Sequence, residues 1–151
     1  MSKSSTSQLS KPQGDRLQGT LDALGINVID RHIFICAEPQ KAKCCDPAAG
    51  TAAWKYLKTR LKELGLDKPS KADAAPQTPH CFRTKADCLR VCQDGPILVV
   101  YPDGIWYRRA TPDVIARIIQ EHLLDDRPVT DHVIAKHPLP HHHQPEYNHG
   151  E

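Results

Sequence analysis

The six cysteines fall into two groups, Cys36 with Cys44 and Cys45, and Cys81 with Cys88 and Cys92. The second group contains two thiols four residues apart in Cys88-Leu89-Arg90-Val91-Cys92, followed by Gln93-Asp94-Gly95-Pro96. In a loop or a single helical turn, both sulfurs can face one point. Thiolates are soft ligands that suit iron–sulfur clusters and zinc. The Gly-Pro pair lets backbone approach closely, and backbone N–H groups can donate to sulfur, one of the factors that sets a cluster's potential. The other half of such a site would come from Cys36, at the end of a short apolar run, and from Cys44 or Cys45, at the mouth of a helix. A [2Fe-2S] centre on four thiolates carries roughly −2 charge when oxidised. The positive end of a helix dipole favours such an anion. Cys81 also reads as a small apolar core residue, which is where many unreactive thiols sit.

The rest of the chain sets limits. Its 151 residues allow one domain plus tails. Twenty Lys and Arg against 18 Asp and Glu argue against a nucleic-acid binder, which shows a strong basic excess. No apolar run approaches the roughly 20 residues of a membrane helix. Met1 to Arg16 is polar and rich in Ser and Lys, without the apolar stretch of a secretory signal. The expected compartment is therefore the cytoplasm, where six cysteines need another explanation than disulfides. Phosphate-cradling, hydrolase, zinc-protease and dinucleotide motifs are all missing, so no enzyme activity is expected.

Elements must position the thiols. Residues 1 to 16 read as disordered, and Arg16 to Leu24 as a short helix stopped by Gly25. Arg31 to Cys36 reads as a buried strand around Ile33, Phe34 and Ile35. Asp46 and Pro47 open a helix as N-cap and first residue. Trp54, Leu57, Leu61 and Leu64 form its apolar stripe, and Gly65 ends it. Asp67 to Pro79 reads as an exposed linker and His80 to Thr84 as a second strand. Ile97 to Tyr101 is the clearest strand; Pro102-Asp103-Gly104 turns it into Ile105-Trp106-Tyr107. Thr111 and Pro112 start a last helix with Ile115, Ile118, Ile119 and Leu123 inward. The order strand, helix, strand, strand, strand, helix predicts an α/β fold with a small mixed sheet and two main helices.

These blocks together resemble the thioredoxin-like [2Fe-2S] ferredoxins, a family distinct from the plant-type ferredoxins and related to a cluster-bearing subunit of respiratory complex I. The likeness rests on His32-Ile33-Phe34-Ile35-Cys36, on Cys45 leading into the Trp54–Leu64 helix, and above all on Cys88 through Tyr107. The Thr111 helix, Arg127-Pro128-Val129 and Val133-Ile134-Ala135-Lys136 complete it. The resemblance implies a thioredoxin-like domain over residues 31–136, with an N-terminal tail (1–30) and a His/Pro-rich disordered tail (137–151). It implies a one-electron carrier with a [2Fe-2S] cluster on Cys36, Cys45, Cys88 and Cys92, Cys44 being a possible substitute for Cys45. It further implies redox partner proteins and a homodimer, with the Ile105–Tyr107 region contributing.

Other readings stay open on the residues themselves. The same thiolates suit a structural zinc site. Cys44, Cys45 and Cys81 suit a thiol redox sensor. His137, His141, His142, His143 and His149 could take a divalent metal or form a solvated tail. His32 could tune a cluster or merely pack. Lys55, Lys58 and Lys62 form a solvated helix face or a dock for an acidic partner.

Overall fold

Asp46 accepts a hydrogen bond from the Ala48 N–H at 3.1 Å, and Pro47 follows at the first helical position. These two residues begin the main helix because the cap satisfies one orphan donor and Pro has no N–H to leave orphaned. At the other end Gly65 takes φ 69°, Gly65 N–H reaches Lys62 O and Leu66 N–H reaches Leu61 O. This pair of bonds closes the last turn in a left-handed glycine cap.

The computed structural model describes residues 6–37 and 45–140, with side chains from residue 14 onward in the first stretch. Helix α1 (Thr6–Leu24) precedes strand β1 (Arg31–Cys36), helix α2 (Pro47–Glu63) and strand β2 (Cys81–Ala86). Strands β3 (Leu98–Tyr101) and β4 (Ile105–Tyr107), helix α3 (Pro112–Arg117) and strand β5 (Val133–Lys136) follow. A π-helical stretch, Ile118–Leu124, continues α3.

The five strands lie in the order β2-β1-β3-β4-β5. Among the described strands only β1 and β2 run parallel, as a strand–helix–strand crossover requires. Cys36 stands beside Ala86 at the shared end of these two strands. Ile33, Ile35, Leu98, Val100, Ile105 and Tyr107 point to one face, where they are sealed by Ala53, Leu57 and Leu61 of α2 and by Val114, Ile115, Ile118 and Ile119. Truncating Leu57 or Leu61 to Ala would cost about 2–5 kcal/mol, the range for deleting a buried aliphatic side chain. The other face carries His32, Phe34, Phe82, Tyr101 and Trp106, all half-buried. His32 stacks on Phe34 with ring centres 4.2 Å apart, and Phe34 meets Tyr101 edge-on.

Two expectations change. The N-terminal helix begins at Thr6 rather than Arg16. Low hydrophobicity removes a packing drive but not the backbone hydrogen bonds of a helix. Thr111 caps α3 with Pro112 at its start, as expected, through the backbone bond from Ile115 N–H to Thr111 O and without a side-chain bond. Ile105 and Tyr107 are core residues, 3% and 0% exposed, because β4 lies inside the sheet between β3 and β5. Of that trio only Trp106 reaches the outer face.

Candidate metal centre

Cys88 and Cys92 lie in the loop that follows β2, with their sulfurs 3.9 Å apart and both residues exposed. Arg90 between them takes φ 71° and Asp94 takes φ 55°, the left-handed region where a non-Gly residue is uncommon. The strained turn at Arg90 aims its N–H at Cys88 Sγ, 3.1 Å away. Arg109 N–H donates to Asp94 O at 2.7 Å and Ala110 N–H to Pro96 O at 2.9 Å, so the segment after β4 holds the loop.

Cys36 ends β1 and is buried. Its Sγ accepts from Ile97 N–H at 3.1 Å, and its own N–H donates to Ile97 O at 3.0 Å. Ala37 N–H donates to Ala86 O at 3.0 Å, fixing the β1 end against the strand that leads to Cys88. Cys45 is half-buried one residue before the Asp46 cap, at the positive end of α2. Cys44 lies outside the described residues, as do His141, His142, His143 and His149.

The structure therefore brings Cys88 and Cys92 together and sets Cys36 and Cys45 where β1 ends and α2 begins. Among the described residues no group of three His, Cys, Asp or Glu side chains is assembled around a single ion position. Cys81 stands apart: it is 0% exposed, part of the core, and burial pushes its thiol up to about 12. That thiol is unsuited to redox chemistry, since the thiolate is the reactive form. His32 donates or accepts at Thr84 Oγ1, 2.8 Å away, and burial lowers its pKa.

The donor set fits an iron–sulfur group. The ligand candidates are soft thiols, two of them already accept backbone N–H bonds, and Cys45 stands one residue before a helix cap. The 3.9 Å sulfur pair matches a tetrahedral edge around one metal, about 3.8 Å for metal–sulfur bonds near 2.3 Å.

Sequence reasoning missed a buried polar chain elsewhere. Tyr107 Oη accepts from Val129 N–H at 3.1 Å and lies 2.8 Å from His122 Nδ1, so its own proton points at Nδ1. His122 Nε2 then carries the hydrogen toward Asp103 Oδ2, 2.6 Å away, and Asp103 accepts from Arg31 Nε at 3.1 Å. A histidine within an apolar helix stripe and an aspartate in a tight turn gave the only signals.

No family model matches the chain. A 2Fe-2S ferredoxin of Aquifex aeolicus is 40% identical over 107 residues, covering 70% of this chain and 90% of the relative. One of Clostridium pasteurianum is 44% identical over 92 residues, 61% of this chain and 83% of the relative. With a Priestia megaterium relative, 32% identical, the match spans 65% of each chain. A solved thioredoxin-like [2Fe-2S] ferredoxin from Aquifex aeolicus superposes with TM-score 0.56 at 24% identity, covering 75% of this chain and 97% of its own, a likeness of fold.

Proposed function

This chain belongs to the thioredoxin-like [2Fe-2S] ferredoxin family, and from that premise we propose that Cys36, Cys45, Cys88 and Cys92 hold its [2Fe-2S] cluster. The observation that carries the ligand set is the Cys88–Cys92 pair, 3.9 Å apart, in the loop after the strand whose end pairs with the N–H-bonded Cys36. The protein is an electron carrier, and the cluster supplies reversible one-electron chemistry. The chain's own residues do the rest. Ile97 and Arg90 direct N–H groups at the sulfurs, where hydrogen bonds stabilise added negative charge. The α2 N-terminus acts in the same sense beside Cys45. Exposure of Cys88 and Cys92 leaves the site open to an approaching redox protein.

A zinc module would need four donors around one ion. Among the described residues Cys88 and Cys92 form a pair, and no third donor joins them around one ion. A thiol sensor built on Cys81 is disfavoured by its burial and raised pKa.

The remaining reading is a domain over 31–136 with flanking segments 1–30 and 137–151, acting in the cytoplasm as a homodimer without catalytic activity of its own. The half-buried aromatic face of His32, Phe34, Phe82, Tyr101 and Trp106 supports pairing with a second copy, because aromatic side chains are enriched where interfaces form. No described helix is long and apolar enough to cross a membrane.

Single substitutions test the ligand set. Cys88→Ser and Cys92→Ser should each abolish or grossly alter the visible spectrum, while Cys81→Ser should leave it unchanged. A normal cluster in Cys92→Ser would overturn the assignment.

A further inference from the structure

The charges of this nearly neutral chain are not evenly spread. Helix α2 and strand β2 together carry six Lys and Arg side chains and a single acidic one, Glu63. The whole chain holds 20 against 18. Lys55, Lys58 and Lys62 recur at helical spacing on α2, opposite the buried Ala53, Leu57 and Leu61. Lys55 and Lys62 are exposed, and Lys58 lies over the Trp54 ring at 5.2 Å. Glu63 is engaged by Arg60 at 3.1 Å, so it leaves the lysine stripe uncompensated. On β2, Arg83 and Lys85 alternate with Cys81 and therefore point to the sheet face that α2 covers. The cysteine loop itself is mixed in charge, with Arg90 between the thiols, Asp87 before them and Asp94 after, the last facing Arg109 at 3.6 Å. The acidic groups Asp30, Asp103 and Asp126 gather instead around Arg31, at the opposite end of β1.

We propose that the basic flank formed by α2 and β2, led by Lys55, Lys58 and Lys62, is the surface on which an acidic redox protein docks. This rests on the ferredoxin reading and names the chemistry of the partner. Lys55, Lys58 and Lys62 lie in the C-terminal half of α2, away from Cys45, and it is the β2 part of the flank, Arg83 and Lys85, that leads into the exposed Cys88–Cys92 loop. A partner that covers both the lysine stripe and the β2 end of the flank also reaches the cysteine loop. A segregated patch of one sign steers an oppositely charged protein during encounter and fixes its orientation. Interactions between exposed charges fade as salt shortens the screening length. A merely solvated lysine face would show neither selectivity by sign nor dependence on these particular residues.

The purified full chain is titrated with an acidic b-type cytochrome whose haem edge is ringed by carboxylates, and separately with a basic c-type cytochrome. Binding is followed by amide shifts along α2 and β2 and does not require electron transfer. The acidic cytochrome is expected to shift these amides, with Kd rising about tenfold between about 20 and 200 mM salt. The triple variant Lys55→Glu, Lys58→Glu, Lys62→Glu should weaken binding by about tenfold or more. A control with equal charge change, Arg16→Glu, Arg127→Glu, Lys136→Glu, should weaken it less than about threefold. Absence of binding to the acidic cytochrome at low salt overturns the proposal. So does equal binding of the basic cytochrome, or an equal loss in the control. The visible spectrum of the same sample reports the cluster separately, so a colourless protein that still binds would count against the ferredoxin reading alone.

Discussion

Cys36 and Ile97 are bonded in both directions: Cys36 N–H donates to Ile97 O at 3.0 Å, and Ile97 N–H donates to Cys36 Sγ at 3.1 Å. The backbone is fixed by one bond and the sulfur by the other, across 61 residues of sequence. The position of the sulfur is thus built into the fold itself. Cys36→Ala leaves the buried Ile97 N–H without that acceptor, a loss of about 1–3 kcal/mol. Cys36→Ser keeps an acceptor but replaces soft sulfur by hard oxygen. In urea unfolding of cluster-free protein, Cys36→Ser should therefore exceed Cys36→Ala in stability, while both lose the normal cluster. Equal midpoints would argue that the Ile97 bond does not hold the sulfur.

Cys81 tests the opposite case, a thiol that is only structure. It is fully buried, and its pKa is raised to about 12, chiefly by burial. In native protein at pH 8 it should resist alkylation, reacting only after denaturation. Cys81→Ser should retain the cluster yet destabilise the fold by about 1–3 kcal/mol, because a hydroxyl replaces a sulfur in an apolar site. Fast labelling of Cys81 in the folded state would contradict its placement.

The Tyr107–His122–Asp103 chain gives a pH dependence. Burial lowers the His122 pKa, the Asp103 hydrogen bond opposing it, and burial lowers His32 as well. As pH falls, the unfolded chain takes up these protons first. Stability from neutral His122 is complete above the unfolded value of about 6.5 and is lost as pH drops from there toward the folded pKa. Urea midpoints of cluster-free protein should be level from about pH 8 to 7 and fall between about pH 6.5 and 5. Tyr107→Phe should cost about 1–3 kcal/mol at pH 7, since Val129 N–H and His122 Nδ1 both lose a buried partner. A midpoint that rises on acidification from pH 7 would contradict this assignment of protons.

Gly104 joins β3 to β4 with φ 65°, and a Cβ there would run into the His137 carbonyl. His137 N–H donates to Gly104 O at 2.8 Å, so the chain after β5 lies directly on this turn. Gly104→Ala should destabilise by more than about 1 kcal/mol, combining backbone strain with displacement of the β5 exit. Wild-type thermal stability in this variant would contradict the close approach.

The parts of the fold that are written locally were legible in the sequence. Asp46-Pro47 and Gly65 delimit α2 because capping is decided by neighbouring residues, and Arg31–Cys36 stood out as β1 because its apolar run is compact. The CxxxC spacing foretold that Cys88 and Cys92 meet. What depended on distant chain was hidden. Cys81 was equally readable as ligand or core until β2 placed it against β1. Asp103, set in a turn, gave no sign of reaching His122, 19 residues on, or Arg31, 72 residues back. His80, in the stretch read as the start of a strand, is buried and bonded to the Leu24 carbonyl at 2.9 Å, which ties the N-terminal helix to the sheet.

The most direct measurement is a visible absorption spectrum of anaerobically purified protein, with iron and acid-labile sulfide assayed on the same sample. Charge-transfer bands that bleach with dithionite, at about two irons and two sulfides per chain, are the predicted result. A protein that stays colourless after reconstitution with iron and sulfide, or that carries one zinc and no sulfide, would contradict the cluster assignment.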